Sequence, residues 1–165
     1  MAALLAPSAF LDANVLFSAA AGSRETACGA LLDLCRHRLL HATTSAAARD
    51  EAERNCQKKL PPNALSELRQ VLDNLVEILP DPPDAMLQAV QGQAHDKDLI
   101  HLATAVQARC LFLVTKNVRH YHPRPDCTIT VYDPEEVIRR IRRALYTLDR
   151  VEFADPPRGD EPASL

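Results

Sequence analysis

Four acidic side chains lie where a folded domain could bring them together. Asp12 follows the apolar residues 9–11, and Glu51 lies within a segment of helical pattern. Asp96 and Asp98 stand where the next long helix is expected to begin. Clustered carboxylates suit hard divalent ions such as Mg²⁺ and Mn²⁺, which can neutralise charge on a phosphate and activate water for phosphodiester hydrolysis. These residues predict such chemistry if the fold gathers them.

Each of these acids also has a purely structural explanation. Asp12 can be an N-cap or an Asx-turn residue, and Glu51 can be a solvated charge on a helix surface. Asp96 can cap a helix whose first turn accommodates Asp98 through the helix dipole. Taken one at a time, the structural explanation is preferred for every one of them. Only a fold that gathers them favours the chemical interpretation.

Short apolar runs alternate with longer segments of helical periodicity along the chain. The predicted strands are 9–11, a weaker candidate at 41–44, 75–79, 110–114 and 128–132, and the predicted helices are 25–39, 45–57, 65–74, 99–108 and 134–148. This alternation indicates an α/β domain with a mainly parallel sheet covered on both faces. In such folds ligands bind at the carboxyl ends of the strands, which is where Asp12 would lie.

Composition limits the class of protein. A chain of 165 residues with 47% hydrophobic content fits one domain, predicted as residues 1–150, and the segment 151–165 is expected to be a disordered tail. Aromatic residues make up only 4% and Trp is absent, so a binding module that stacks bases on aromatic side chains is improbable. The net charge of −3 means that a phosphate-bearing partner would need a local basic patch.

The cysteines and the hydropathy pattern bear on location. Five cysteines without a CxxC pair fit neither a disulfide framework nor a zinc knuckle, so we expect reduced thiols in a cytoplasmic protein. The N-terminal residues 1–10 lack a basic region, and no stretch approaches the roughly 20 apolar residues of a membrane span. No membrane association is expected.

Four short motifs follow one another in a defined order. They are Asp-x-Asn at Asp12 and Asn14, Ser45 six residues before Glu51, Asp-x-x-His-x-Ala-x-Ala from Asp98 through His101, Ala103 and Ala105, and Thr-x-Asn at Thr115 and Asn117. Together, over residues 8–132, they resemble the PIN domain family of metal-dependent ribonucleases, which includes the VapC-type toxins. The resemblance implies a three-layer α/β fold with a five-stranded, mainly parallel sheet of order 3-2-1-4-5.

The resemblance also implies roles for individual residues. Asp12, Glu51 and Asp98 match the family's first three acids and would be the catalytic and metal-binding residues for one or two Mg²⁺ or Mn²⁺ ions. Asp12 and Asp98 are preferred as ligands, direct or through water, and Glu51 would bind the ion or orient a water molecule. Asp96 is a further candidate ligand, acting from the loop that precedes the helix. The predicted hydrogen-bonding supports of the acids are Asn14, Thr115 and Asn117.

The chain departs from the family pattern at one position. His120 stands where many members carry a fourth acid, so the site loses one negative charge. His120 could bind the metal, contact a substrate phosphate or be an ordinary surface histidine. Together with Lys116 and Arg119, His120 is predicted to contact RNA phosphates near the acids.

The functional hypotheses follow from these expectations. The first is a divalent-metal-dependent endoribonuclease acting on single-stranded RNA, as the toxin of a toxin–antitoxin pair, with an antitoxin protein and a second copy of the chain as candidate partners. The alternative is a PIN-like module with weak or no catalysis that binds RNA or protein. A haloacid-dehalogenase-like phosphohydrolase ranks last, because its second aspartate would occupy the position of Asn14.

Overall fold

A computed structural model describes residues 6–22 and 25–148. The predicted tail 151–165 and the boundary at residue 150 lie outside this part of the chain. Within it, no helix combines the length and the apolar character that crossing a membrane requires.

The described residues form a single five-stranded sheet with helices packed around it. The strands are β1 (Ser8–Leu11), β2 (His41–Ser45), β3 (Val76–Leu79), β4 (Phe112–Val114) and β5 (Thr130–Tyr132). The helices are α1 (Ala13–Ala21), α2 (Ala27–Arg36), α3 (Ala46–Lys59), α4 (Pro62–Leu75), α5 (Asp84–Ala89), α6 (Leu99–Gln107) and α7 (Pro134–Leu148). Every strand pair is parallel and the order is β3-β2-β1-β4-β5, which confirms the expected fold.

The central strand is built from residues that can be buried on both faces. Phe10 and Leu11 are fully buried in β1, which pairs with β2 on one side and β4 on the other. β2 tolerates burial of its polar residues because they are hydrogen-bonded; for example, Thr44 Oγ1 donates to the carbonyl of Leu11 at 2.8 Å. The sheet therefore has a core on both faces, as parallel sheets require.

The structure corrects several element boundaries. The predicted helix 25–39 ends at Arg36, because Arg38 adopts a left-handed φ of 56° and closes the turn. The predicted strand 110–114 begins only at Phe112, since the Cys110 amide donates back to the Ala105 carbonyl at the end of α6. Helix α5, which follows two prolines, was not indicated by the periodicity. These differences shift element ends without altering the topology.

The cysteines are free thiols, as expected, and four of the five are buried. Cys35 is 7% exposed, and this burial raises the pKa of its thiol to about 11. It therefore stays protonated and unreactive at neutral pH.

Two features of the backbone position the site. The strands β1, β2 and β4 end at Leu11, Ser45 and Val114, so Asp12 and Thr115 lie at the same carboxyl edge of the sheet. A short antiparallel bridge then joins residues 93–95 to residues 120–122. In this bridge the His95 amide donates to the His120 carbonyl at 2.9 Å and the His122 amide donates to the Gln93 carbonyl at 2.6 Å.

Candidate functional site

Asp12 caps helix α1 and lies at the carboxyl edge of the sheet. It is only 4% exposed, it has extended backbone angles, and its Oδ1 accepts from the Ala13 amide at 2.6 Å. Its Oδ2 accepts from Asn14 Nδ2 at 2.9 Å and from Thr115 Oγ1 at 2.6 Å. The buried carboxylate therefore has donors on both oxygens, which offsets the cost of removing it from water.

The side chains of Asn14 and Thr115 form a small network beneath this carboxylate. Asn14 Nδ2 also lies 3.1 Å from Thr115 Oγ1, and Asn14 Oδ1 accepts from the Lys116 amide at 2.9 Å. Thr115 Oγ1 accepts from the Asn117 amide at 3.0 Å. Two of the predicted supports thus contact Asp12 directly, whereas Asn117 joins the network through its backbone.

His101 connects Asp12 with Glu51. Its ring is 2% exposed, and its Nε2 lies 3.8 Å from Asp12 Oδ1 and 4.0 Å from Glu51 Oε2. Ser45 caps α3 by accepting from the Ala48 amide, so its own hydroxyl hydrogen can donate to His101 Nδ1, 3.2 Å away. In the neutral ring this arrangement leaves the proton on Nε2, directed toward the two carboxylates.

The hydroxyl of Tyr121 lies among the acids. Tyr121 is 5% exposed, and its hydroxyl has no hydrogen-bond partner within the described part of the chain. Burial raises the pKa of this hydroxyl far above its usual value, and the negative charges of Asp12, Asp98 and Glu51 raise it further. The Asp12 carboxylate also raises this pKa as an acceptor close to the hydroxyl, although the two groups do not reach hydrogen-bond geometry. All three acids therefore act electrostatically on one buried hydroxyl.

Asp98 lies beside two histidines. It is 7% exposed, and its Oδ2 lies 3.0 Å from His120 Nδ1. The His120 ring stacks on His95 with centroids 4.3 Å apart and an angle of 18°. Among the described residues, the group of potential metal ligands whose atoms all lie within 4.8 Å of one another consists of His95, Asp98 and His120.

Several predicted residues lie elsewhere than expected. Asp96 is exposed at the start of the turn, and the group of His95, Asp98 and His120 does not include it, so its role as a ligand stays a prediction. Successive positions in the turn point in different directions, and Asp98 is the one that points inward. The ammonium group of Lys116 lies 3.2 Å from Ser18 Oγ on α1. Arg119 is exposed, and His120 is half-buried against Asp98 rather than a surface residue.

A model of the PIN domain family matches residues 8–119. The match contains the strands β1 to β4 and the turn that carries Arg119, and it covers more than half of the chain. The chain belongs to the PIN domain family. The comparison with curated proteins gave no significant match.

Two solved structures share the fold of this PIN domain. FitAcB from Neisseria gonorrhoeae is 18% identical with a TM-score of 0.57, and the match covers 77% of this chain and 98% of that one. FitAB bound to an IR36 DNA fragment is 17% identical with a TM-score of 0.55, over 76% of this chain and 94% of that one. Identities this low establish a common fold and leave the chemistry to be argued from the residues of this chain.

Three members of the site had no role assigned from sequence. His101 belongs to the Asp-x-x-His motif, but only the fold shows that it bridges two acids. His95 stands three residues before Asp98, a spacing that places side chains on one face of a helical turn and could have been noticed. Tyr121 has no distinguishing pattern, because a tyrosine next to a predicted loop is normally a packing residue.

Proposed function

We propose that this PIN domain is a divalent-metal-dependent endoribonuclease that hydrolyses phosphodiester bonds of single-stranded RNA. Asp12, Glu51 and Asp98 would be its catalytic acids. The observation that supports this most strongly is the position of the buried Asp12 carboxylate at the carboxyl edge of the sheet, 3.8 Å from His101, whose ring also lies 4.0 Å from Glu51. The buried Tyr121 hydroxyl has no hydrogen-bond partner among the described residues, and the charges of Asp12, Asp98 and Glu51 all raise its pKa. A polar atom left without a partner in a buried place is typical of a site completed by a ligand.

The donor set fits a hydrated Mg²⁺ or Mn²⁺ ion. All three acids offer carboxylate oxygens, which these ions prefer, and Mg²⁺ commonly keeps several waters while binding one or two carboxylates. When bound, the ion supplies positive charge that stabilises the phosphate during attack and acidifies water.

The protein's own groups can be assigned complementary tasks. Asp12 and Asp98 would hold the ion, with Asp12 fixed in position by Asn14 and Thr115. Glu51 has a side chain that is 47% exposed at the mouth, so it can orient the attacking water and accept its proton. The raised pKa of Tyr121 keeps its hydroxyl protonated, and the hydroxyl can donate to a substrate oxygen.

The substrate would reach the acids over a mouth containing His120 and Arg119. The protein carries a net charge of −3, so these local groups would have to attract the phosphates. Single-stranded RNA suits a narrow acidic cleft because its backbone bends and its bases are exposed. An antitoxin protein, a second copy of the chain and a cytoplasmic location complete the proposal, on the strength of the resemblance to VapC-type toxins.

The test is cleavage of an end-labelled single-stranded RNA across a series of Mg²⁺ and Mn²⁺ concentrations. We expect cleavage by the wild type, none in the presence of a chelator, and a loss of about 100-fold or more in Asp98→Asn. The matched control is Asp73→Asn, which removes the same charge from an exposed position on α4 and should leave the rate unchanged. Equal rates for wild type and Asp98→Asn would refute this assignment of the site.

A second candidate is a PIN domain that binds RNA or protein without cleaving RNA. The contact between His120 and Asp98 favours it, because an imidazole occupies the place of the fourth acid and partners the third. Electrophoretic mobility shift of the same labelled RNA separates the two candidates. Binding without cleavage at any metal concentration supports the second, and a DNA oligonucleotide of the same sequence tests the choice of nucleic acid.

A further inference from the structure

We propose that His95, Asp98 and His120 form a binding site for a first-row transition-metal ion of the Co²⁺, Ni²⁺ or Zn²⁺ kind, with preference over Mg²⁺. The site shares Asp98 with the proposed nuclease centre, but the ion binding does not depend on nuclease activity. Two of its three ligands are histidines that are not among the three proposed catalytic acids.

The distances suit a common ion. Ligands of an ion with bonds of about 2.0–2.2 Å lie roughly 3 to 3.5 Å apart when they are neighbours in the coordination sphere. His120 Nδ1 and Asp98 Oδ2 are already 3.0 Å apart, and His95 completes a group with all atoms within 4.8 Å. The side chain of His95 is exposed, so its ring is free to approach an ion held by Asp98 and His120.

The backbone prepares this arrangement in advance. The antiparallel bridge fixes His95 beside His120 through the hydrogen bond between their main-chain groups, at 2.9 Å. The Asp98 amide donates to the His95 carbonyl at 2.8 Å, which ties the third ligand to the first. Because main-chain contacts fix the backbone at these three positions, little backbone conformational entropy remains to be lost when an ion binds.

The surroundings favour a bound ion over a purely structural cluster. Asp98 is buried and His120 is half-buried, while His95 is exposed and leaves a path for entry. The hydroxyl of Tyr121 is the one buried side-chain N or O atom without a hydrogen-bond partner among the described residues, and Tyr121 follows His120 and pairs with Ala94 in the same bridge. Three ligands from the chain leave positions open for water or a substrate oxygen.

The ligand types determine the selectivity. Imidazole nitrogens bind Co²⁺, Ni²⁺ and Zn²⁺ well, whereas Mg²⁺ demands oxygen ligands and gives up its waters reluctantly. With His120 in the place of an acid, the group of His95, Asp98 and His120 offers two nitrogens and one carboxylate, apart from the three carboxylates proposed for Mg²⁺. The departure from the family pattern is what gives this chain the proposed preference.

The test is titration of the metal-free full-length protein with Co²⁺, followed by visible absorption and isothermal titration calorimetry, and then competition with Mg²⁺. We expect one Co²⁺ per chain, not displaced by a large excess of Mg²⁺. His95→Ala and His120→Ala should each weaken Co²⁺ binding by about tenfold or more. His122→Ala is the matched control, since its ring lies 6.3 Å from that of His95 and outside the ligand group, and it should bind as the wild type does.

Several results would overturn the proposal. These are unchanged Co²⁺ binding in both histidine variants, displacement by Mg²⁺ at comparable concentration, and thiolate-to-Co²⁺ charge-transfer absorption, which would assign the ion to a cysteine. Weaker binding of inorganic phosphate with unchanged Co²⁺ binding would make the histidines an anion site instead. Circular dichroism shows whether each variant is folded, and His120→Gln provides a second, larger replacement.

These results are separable from those on the nuclease. Loss of Co²⁺ binding in the histidine variants, together with no RNA cleavage by the wild type, would support this site and refute the proposed function. If the wild type cleaves RNA with Mg²⁺ while His95→Ala and His120→Ala bind Co²⁺ as the wild type does, the proposed function is supported and this ion site is refuted.

Discussion

The two buried aspartates of the site lie in very different surroundings. Asp12 accepts three hydrogen bonds from the protein, at 2.6, 2.9 and 2.6 Å, and caps a helix. Asp98, almost equally buried, contacts His120, and the Tyr121 hydroxyl in its neighbourhood is unpaired. We refer to Asp12, Asn14 and Thr115 as the Asp12 half, and to the histidine-containing group around Asp98 as the Asp98 half. The first half is built into the fold, and the second retains binding capacity for a ligand.

The largest expected effect is on the free energy of unfolding, which should differ between variants of the two halves. In Asp12→Asn one amide N–H must face a backbone or side-chain donor, so at least one hydrogen bond to a charged group is lost, and we expect a decrease of about 2 kcal/mol in the free energy of unfolding. Asp98→Asn keeps an oxygen for His120 and should cost roughly 0.5 kcal/mol or less. Urea denaturation of the metal-free proteins measures both. Equal losses would remove the distinction between the halves.

The second effect concerns the ion and sharpens the description of the Asp98 half. His120→Asp adds an anion beside Asp98 and removes a nitrogen ligand, so Mg²⁺ should bind about tenfold more tightly and Co²⁺ more weakly. Calorimetric titration with each ion gives the two constants. His122→Asp places the same charge outside the ligand group and serves as control. A parallel gain for both ions would indicate simple attraction rather than a change of ligand type.

The third effect concerns the Tyr121 hydroxyl, which is buried without a hydrogen-bond partner in the described part of the chain. Tyr121→Phe keeps the buried ring and removes a polar atom without a partner, so the metal-free protein should gain up to about 1 kcal/mol of stability. RNA cleavage, if the proposed function holds, should fall in the same variant. Thermal unfolding compared with the wild type gives the first number. A clear loss of stability would mean that the hydroxyl has a partner in the folded protein.

The last expected effect lies outside both halves and appears only at alkaline pH. The Cys35 thiol has its pKa raised from 9.0 to about 11 by burial. The unfolded chain therefore releases this proton near pH 9 and the folded chain only near pH 11, so the thiol's contribution to stability is complete below pH 9 and lost as the pH rises toward 11. Cys35→Ala should flatten the decline of unfolding free energy over that interval. Urea denaturation at pH 8, 9, 10 and 11 checks it, and an identical slope would contradict it.

The topology was accessible from sequence because its determinants are local and repeated. Apolar runs, helix-like spacing and the four motifs located the strands and the helix starts at Ser45 and Asp98 within a few residues. Boundaries failed where single-residue geometry decides them, as at Arg38, whose left-handed backbone no periodicity reveals. The order of the strands came from the resemblance, since spacing alone does not say which strands are neighbours.

The site was accessible only in part. Asp12, Asn14 and Thr115 belong to motifs, and their side chains are hydrogen-bonded to one another. The pairing of His120 with Asp98 and His95 could not be predicted, because it depends on the backbone bridge between Ala94 and Tyr121, which are 27 residues apart in sequence. Long-range contacts of this kind leave no periodic signal, and a histidine has too many ordinary uses for its type alone to decide.

The antiparallel bridge affects which substitutions the site can accept during evolution. Its hydrogen bonds join main-chain groups, so the backbone at His95 and His120 does not depend on which side chains stand there. A point mutation at either position exchanges one donor atom of the site while the sheet and its core remain as they are. The preferred ion can therefore change during evolution by single substitutions, while the fold stays the same.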